Sequence, residues 1–156
     1  MSIFLDIADQ WQIADDAFAA LESNAYAAND DPSYDAAVDQ RKRNDQAYFL
    51  FLFTRFEDAV TQAIKPIVNN RTAGAAWPER RIWEAWSALV LKDDRSMHLL
   101  SKVEVVTDKS RNDYETIQEY YKGRNRIAHG GEYSEQFLIP EVAQRMHDIS
   151  TSFPTS

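Results

Sequence analysis

The stretch Tyr48-Phe49-Leu50-Phe51-Leu52-Phe53-Thr54-Arg55-Phe56 is apolar around nearly its whole circumference if it is helical. A helix of this kind must be covered on most of its sides. The residues of this region that are predicted to line the intramolecular core are Phe49, Phe53, Phe56, Val60 and Ile64. Tyr48, Phe51 and Leu52 then require a further partner, and a second subunit is one option.

This aromatic stretch belongs to a long predicted helix that begins near Pro32 and ends near Pro66. Before it, apolar residues alternate at spacings of three and four, which is typical of a helical seam. The residues of that seam are Phe4, Ile7, Trp11, Ala14, Phe18, Leu21, Ala25 and Ala28. Between the two helices lies Asn29-Asp30-Asp31-Pro32, and a proline suits the first turn of the second helix.

Four shorter helices are expected after a loop at 69–77, where Gly74 and Pro78 mark a new helix start. They follow in order: one around 82–90, one at 98–106, one from about Asn112 or Asp113 to Gly130-Gly131, and one opening at Pro140. No segment has the alternation of a β-strand. The sequence therefore predicts an all-α fold, an up-and-down helical bundle of about five to six helices in a single domain over residues 1–156.

Composition narrows the functional classes. The chain has no cysteine, so disulfides and thiolate metal sites are excluded and a reducing compartment, the cytoplasm, is expected. Asp6 and Asp9 interrupt the apolar residues near the N-terminus, so no signal peptide is expected. The apolar run 47–53 is too short to span a bilayer, so no membrane partner is expected either. The formal net charge of −8 argues against a broad nucleic-acid surface and leaves only local basic clusters at 41–43 and 122–126.

The segment with candidate catalytic or ligand-binding side chains is Arg124-Asn125-Arg126-Ile127-Ala128-His129. Arg124 falls on the core-facing side of the fifth helix, and an arginine there needs a partner. One interpretation is a structural salt bridge to Glu57 or Glu115. The other is functional, because a guanidinium holds a phosphate with two hydrogen bonds and a histidine transfers protons near neutral pH. Together they form a minimal set for metal-free RNA cleavage.

Helical geometry places a condition on the functional interpretation. At 3.6 residues per turn, His129 lies about 140° from Arg124 but only about 40° from Asn125, with which it can hydrogen-bond. Arg124 and His129 converge if the helix unwinds near Gly130-Gly131, or if both face a groove between two subunits. Gly123 indicates either close approach of another backbone or ligand, or a frayed helix end.

The pattern Arg124-Asn125-x-x-x-His129, followed by glycine at the end of a late helix in a small all-α chain, resembles the HEPN superfamily. Phe53-Thr54-Arg55-Phe56-Glu57 also resembles the aromatic early helix of some members. The resemblance implies a helical homodimer in which the two motifs face each other. Many members are metal-independent RNases that leave 2′,3′-cyclic phosphate ends and act in toxin–antitoxin, abortive-infection or RNA-processing systems. Others are binding or scaffolding modules.

The resemblance also implies roles for individual residues. Arg124 binds the scissile phosphate, His129 is the general base or acid, and Asn125 orients His129 or the phosphate. The residues expected to contact RNA are Lys122, Arg126 and Tyr121. Expected partners are RNA, a second copy of the chain, and an antitoxin or other protein, with no metal or other cofactor. The chain departs from the subgroup regulated by tyrosine modification, because Gly131 stands where that subgroup has tyrosine.

The alternative function is a non-catalytic HEPN-like module that binds a nucleotide or a protein. Under it, Arg124 and Asn125 are helix-packing contacts. The net charge of −8 favours this alternative, and the intact Arg-Asn…His set favours the RNase.

The remaining motifs have structural interpretations. His98 and His147 lack a partner at metal-ligand spacing and are expected to be surface or capping residues. The tryptophans with helical spacing, expected in the core rather than in a base-stacking platform, are Trp77, Trp83 and Trp86. Arg41-Lys42-Arg43 is expected to be a solvated face, with RNA contact as the alternative. The sequence has no phosphate-binding glycine loop, nucleophile elbow or His-Glu-x-x-His motif.

Overall fold

Helices account for nearly all of the backbone in the computed structural model, which describes residues 2–74, 76–91, 98–108, 110–131 and 137–154. Within these ranges the fold is an all-α bundle with no strand, as predicted. Its six helices are α1 (Ile3–Ala27), α2 (Asp31–Gly74), α3 (Trp77–Leu91), α4 (Leu99–Val106), α5 (Asp113–Ala128) and α6 (Ile139–Thr151). Among the described residues, no helix is both long and apolar enough to cross a membrane.

The turn between α1 and α2 is built by local polar chemistry. Asn29 has a positive φ of 52°, a conformation that asparagine tolerates better than most residues. Asp30 then accepts hydrogen bonds from the backbone N–H of Ser33 at 3.2 Å and from its hydroxyl at 2.6 Å. These bonds satisfy a donor at the start of α2 and lower the pKa of Asp30.

Helix α2 is longer than the sequence predicts. It runs for 44 residues, continues through Pro66 and ends at Gly74, so the prediction of a loop at 69–77 is wrong. An interior proline costs about 3 kcal/mol, because it removes one backbone hydrogen bond and crowds the preceding turn. Ile64 and Val68 flank Pro66 and are fully buried, and their packing offsets that cost.

The chain divides into two compact units. Unit 1 comprises Met1–Arg55 and Tyr121–His147, and unit 2 comprises Phe56–Tyr120 and Asp148–Ser156. Helices α2, α5 and α6 contribute residues to both units. The assignment of residues 1–156 to a single domain stays a prediction.

The core of unit 1 is built on the aromatic face of α2. Phe49 and Phe53 are fully buried, as predicted. The ring of Phe49 stacks on that of Phe137, with centroids 5.3 Å apart and planes inclined by only 8°, and the ring of Phe53 lies 6.1 Å from that of Tyr121 on α5. Helix α2 therefore holds both α5 and the segment that precedes α6.

A second side of α2 is also covered within the chain. Leu52 is fully buried, so the chain itself provides the further partner that this residue requires, and a second subunit is not needed to cover it. Phe51 is 39% exposed, with the guanidinium of Arg55 5.2 Å from its ring centroid, and Tyr48 is half-buried. The periodicity of apolar residues shows that a helix face is buried. It does not show whether the face is buried by the same chain or by a second subunit.

In unit 2, α2 supplies the predicted core residues. The fully buried side chains of α2 in this unit are Phe56, Val60, Ile64 and Val68. The ring of Phe56 lies 5.9 Å from that of Phe153. Trp77 is 63% exposed at the first position of α3, with Arg81 over its ring, so its assignment to the core is wrong. Trp83 is half-buried, and the side chain of Trp86 and the predicted helix break at 92–95 lie outside the described residues.

The apolar seam of α1 is buried only in part. Phe4, Ile7 and Ala25 are buried and Trp11 is half-buried, whereas Leu21 is 53% exposed. The spacing therefore predicted the helix correctly but overestimated how much of the seam the chain itself covers.

We expect Phe53→Ala to lower the free energy of unfolding by about 3–5 kcal/mol, because it opens a cavity at a fully buried aromatic site. Phe51→Ala is the matched control on the same helix and should cost no more than about 1 kcal/mol, since that ring is partly solvated. Urea unfolding monitored by circular dichroism measures both values. Equal losses in the two variants would contradict the assigned core.

Candidate functional site

The end of α5 is fixed by its two glycines. Gly130 has a positive φ of 78°. The N–H of Gly131 donates to the carbonyl of Arg126 at 2.8 Å, and the N–H of Gly130 donates to that of Ile127 at 3.0 Å. This pair of bonds is the Schellman arrangement, which satisfies carbonyls that the helix end would otherwise leave open. The predicted stop at Gly130-Gly131 is confirmed.

His129 keeps its helical position up to this stop. Its backbone N–H donates to the carbonyl of Asn125 at 3.1 Å, so the chain leaves the helix only after His129. Unwinding therefore does not bring His129 towards Arg124, and the two remain about 140° apart around the helix axis. Of the two predicted routes to a joint site, only a groove shared with another molecule remains.

Arg124 is half-buried and is oriented by its neighbour. Its Nη1 donates to Oδ1 of Asn125 at 3.1 Å, and this is the polar contact of its side chain among the described residues of unit 1. A guanidinium has five N–H groups, so most of its donors stay available to a ligand. Asn125 thus orients Arg124 here, and its predicted role towards His129 or the phosphate stays a prediction. Glu57 and Glu115 belong to unit 2, and their pairing with Arg124 stays a prediction.

The side chain of His129 is exposed. Within the described ranges it forms no hydrogen bond or ion pair. It is therefore accessible to a ligand that approaches the end of α5.

The three residues expected to contact RNA fall into two groups. Lys122 and Arg126 are exposed on α5 and are accessible to a ligand. Tyr121 is half-buried and packs against Phe53, so its first role is to anchor α5 on α2.

Gly123 leaves room for the aromatic ring of Phe137 beside α5. A Cβ atom at this position would lie 2.6 Å from Cε2 of Phe137 and 3.5 Å from Phe49. The close neighbour within the chain is thus a side chain rather than a backbone, and because Gly123 lies inside α5, a frayed end does not explain the glycine. This contact holds α5 close to the segment before α6.

A basic segment of α2 lies beside the end of α5, which the sequence alone does not indicate. A cavity of about 270 Å³ is lined by Asp39, Lys42, Arg43, Gln46, Ile127, Gly130 and Gly131. Arg43 is exposed and Lys42 is half-buried. The predicted basic cluster at 41–43 is therefore close in space to the residue that follows His129.

Arg41 has a different role from its two basic neighbours. Its Nε and Nη2 donate to Asp15 at 2.5 and 2.8 Å, and its Nη1 donates to Glu22 at 3.3 Å. The hydrogen bonds to Asp15 are the main cause of the raised pKa of Arg41. Asp15 is only 5% exposed, whereas the side chain of Arg41 is 40% exposed, so residue 41 lies on a partly solvated face and is also fixed by a buried carboxylate. The available signal was the pair Asp15 and Glu22, which lie two turns apart on α1.

The other two histidines are not part of this site. The Nδ1 of His98 accepts a hydrogen bond from the backbone N–H of Leu100 at 3.3 Å and caps α4, as predicted. His147 is half-buried on α6. In the described part of the chain, no group of three or more histidine, aspartate or glutamate side chains is arranged to hold a metal ion.

The chain matches no protein-family model, no curated protein and no solved structure. The resemblance to the HEPN superfamily therefore rests on the motif residues and the helix order.

Gly130→Ala should lower the free energy of unfolding by about 1 kcal/mol, because alanine is strained at a positive φ. Gly74→Ala is the control at the end of α2, where an added Cβ meets nothing within 4 Å. That change should be neutral or stabilising by up to about 1 kcal/mol. Urea unfolding of both variants measures the difference, and a Gly130→Ala protein as stable as Gly74→Ala would contradict the assigned helix end.

Proposed function

We propose that this chain is a metal-independent endoribonuclease of HEPN type, acting in the cytoplasm and cutting RNA at a composite site formed by two copies. The supporting observation is the state of Arg124. Among the described residues of unit 1, its guanidinium is oriented by the neutral amide of Asn125 and no carboxylate pairs with it. Such a guanidinium keeps its charge and most of its donors for a phosphate.

The chemistry follows from the two side chains. The imidazole of His129 takes the proton of a ribose 2′-hydroxyl, whose oxygen then attacks the adjacent phosphorus. Arg124 stabilises the negative charge that develops on the phosphoryl oxygens. The 5′-oxygen leaves with a proton from an acid, and the products are a 2′,3′-cyclic phosphate and a 5′-hydroxyl. These steps require no metal ion.

A second copy of the chain would complete this site. One imidazole cannot be the base and the acid of the same step, and a two-fold axis would supply the second one. The same axis would bring the arginine of one copy towards the histidine of the other. This second requirement follows from the separation of Arg124 and His129 along α5, which the hydrogen bond from the N–H of His129 to the carbonyl of Asn125 maintains.

Local positive charge supports RNA as the ligand. Lys122 and Arg126 are exposed on α5, and Arg43 lines the cavity beside Gly130 and Gly131. These side chains offer contacts for the phosphates that flank the cleaved bond, although the whole chain carries a net charge of −8. A nuclease with a small basic site on an acidic surface would fit a toxin or phage-defence role, with an antitoxin or another protein as its partner.

The second candidate function is a non-catalytic module that binds a nucleotide or a protein. The net charge of −8 and the divergence of Arg124 and His129 within one copy favour it. Under this alternative, Arg124 would still hold a phosphate, but no bond would be cut.

RNA cleavage in the presence of EDTA tests the assigned roles. Arg124→Ala and His129→Ala should each lower the cleavage rate by about 100-fold or more, because each removes charge stabilisation or proton transfer. Arg71→Ala and His98→Ala are the matched controls, since both residues lie in unit 2, and they should cleave at nearly the wild-type rate. The same residual activity in all five proteins would indicate a contaminating nuclease and overturn the proposal.

Analytical ultracentrifugation tests the composite site. The protein should sediment at about twice its chain mass of 18.0 kDa. Its specific activity should fall when it is diluted below the dimer dissociation constant. A monomer whose activity per chain is unchanged by dilution would contradict a site shared between two copies.

A further inference from the structure

Unit 1 contains a second cavity of about 360 Å³, near the lower end of the size range of small-molecule sites. It is formed by α1, by α2 and by residues 137–139. Arg124, Asn125 and His129 do not line it, so the proposed nuclease chemistry does not account for it.

Much of the wall of this cavity is aromatic or apolar. Trp11 and Tyr34 provide two half-buried rings. Val38 and Leu138 add apolar surface that is 39% and 55% exposed, respectively. A flat apolar body can pack here, and aromatic rings of this kind also attract cations.

The positively charged side chains that line this cavity already interact with other residues of the chain. All three nitrogens of the Arg41 guanidinium donate to carboxylates, two of them to Asp15 and one to Glu22. Because Asp15 is buried, this ion pair is part of the framework of the unit. Lys42 also has an interaction of its own. The lining is therefore poorly suited to take a negatively charged ligand.

The negative side chains, in contrast, offer unused acceptors. Oδ1 of Asp45 accepts the indole N–H of Trp11 at 2.7 Å, and among the described residues nothing donates to Oδ2. Oε2 of Glu22 accepts from Arg41, while its other oxygen likewise has no donor in the described ranges. Burial raises the pKa of Asp45 and the neighbouring Asp15 adds to the rise, while the hydrogen bond from Trp11 and the charge of Arg41 act in the opposite direction. A cation beside Oδ2 of Asp45 would favour the ionised carboxylate and be attracted by it.

We propose that this cavity binds a small organic amine, with its protonated nitrogen at Asp45 and Glu22 and an aromatic or short apolar body against Trp11, Tyr34 and Leu138. Each part of the amine meets the chemistry that recognises it: carboxylate oxygens for the ammonium, and aromatic rings for the body and for the charge. The proposal is independent of the nuclease function, because the two sites share none of the motif residues.

Isothermal titration with phenethylamine and phenylacetate tests the sign of the recognised charge. The two ligands have nearly the same size and opposite charges at neutral pH. Phenethylamine should bind with one-to-one stoichiometry and about tenfold or more tightly than phenylacetate, as expected for one hydrogen bond between charged groups. Equal affinity for the two ligands, or no saturable binding of phenethylamine, would overturn the proposal.

Variants on α2 test the position of the site. Asp45→Asn keeps an acceptor for Trp11 but removes the charge, and it should weaken phenethylamine binding by about tenfold or more. Asp35→Asn makes the same charge change at an exposed position of α2 that does not line the cavity, and it should bind like the wild type.

Val38→Lys provides a second test that spares the buried groups. Val38 is 39% exposed, so its replacement should leave the fold intact, which circular dichroism can verify. The added positive charge at the rim should weaken phenethylamine binding by about tenfold or more, because it repels the ammonium. Unchanged affinity in this variant would place the amine elsewhere and overturn the proposal even if Asp45→Asn does not fold.

Discussion

The aromatic contacts of α2 with α5 and with Phe137 are the constraint on which the candidate site depends. Phe49 stacks on Phe137, and Phe53 meets Tyr121. Gly123 makes this possible, because any larger residue would collide with the ring of Phe137. The start of the motif segment is therefore held by buried rings, which are close-packed and resist displacement. The side chains that follow along α5 reach solvent to differing extents: Arg124 and Asn125 are half-buried, and Arg126 and His129 are exposed.

The other end of the motif segment is fixed by the backbone. The two hydrogen bonds donated by Gly130 and Gly131 close α5 immediately after His129. With both ends defined, the angular separation of Arg124 and His129 is set by the helix itself and cannot be closed by a small local shift. Both ends of the motif segment are thus fixed, while the side chains of Arg124 and His129 diverge within one copy. This divergence is the physical reason for proposing that two chains share the chemistry, and it equally underlies the non-catalytic alternative.

Periodicity was sufficient for the order of the helices and for the inward face of α2, because a repeat of 3.6 residues determines which side chains share a face. It was insufficient where tertiary cover decides the outcome. Leu52 is buried although it does not lie on the predicted inward face of α2. Pro66 is tolerated inside α2 because its neighbours are buried. Trp77 is exposed although its spacing matches that of a core residue. The Arg41–Asp15 ion pair joins residues 26 positions apart, and a single sequence does not reveal such pairing. The roles proposed for Arg124 and His129 came from the sequence, but the bond from Arg124 to Asn125 and the nearby cavity lined by Lys42 and Arg43 required coordinates.

The most direct test of the central claim concerns the atom that attacks phosphorus. Once the preferred cleavage position in an RNA oligonucleotide has been mapped, the same oligonucleotide is prepared with a single 2′-deoxyribose at that position, and the products are identified by mass spectrometry in the presence of EDTA. The account predicts a 2′,3′-cyclic phosphate from the unmodified RNA and no cleavage at the modified position. Cleavage of the modified position, or products that end in a 3′-hydroxyl, would contradict it, because neither outcome is available to a site that activates the 2′-hydroxyl.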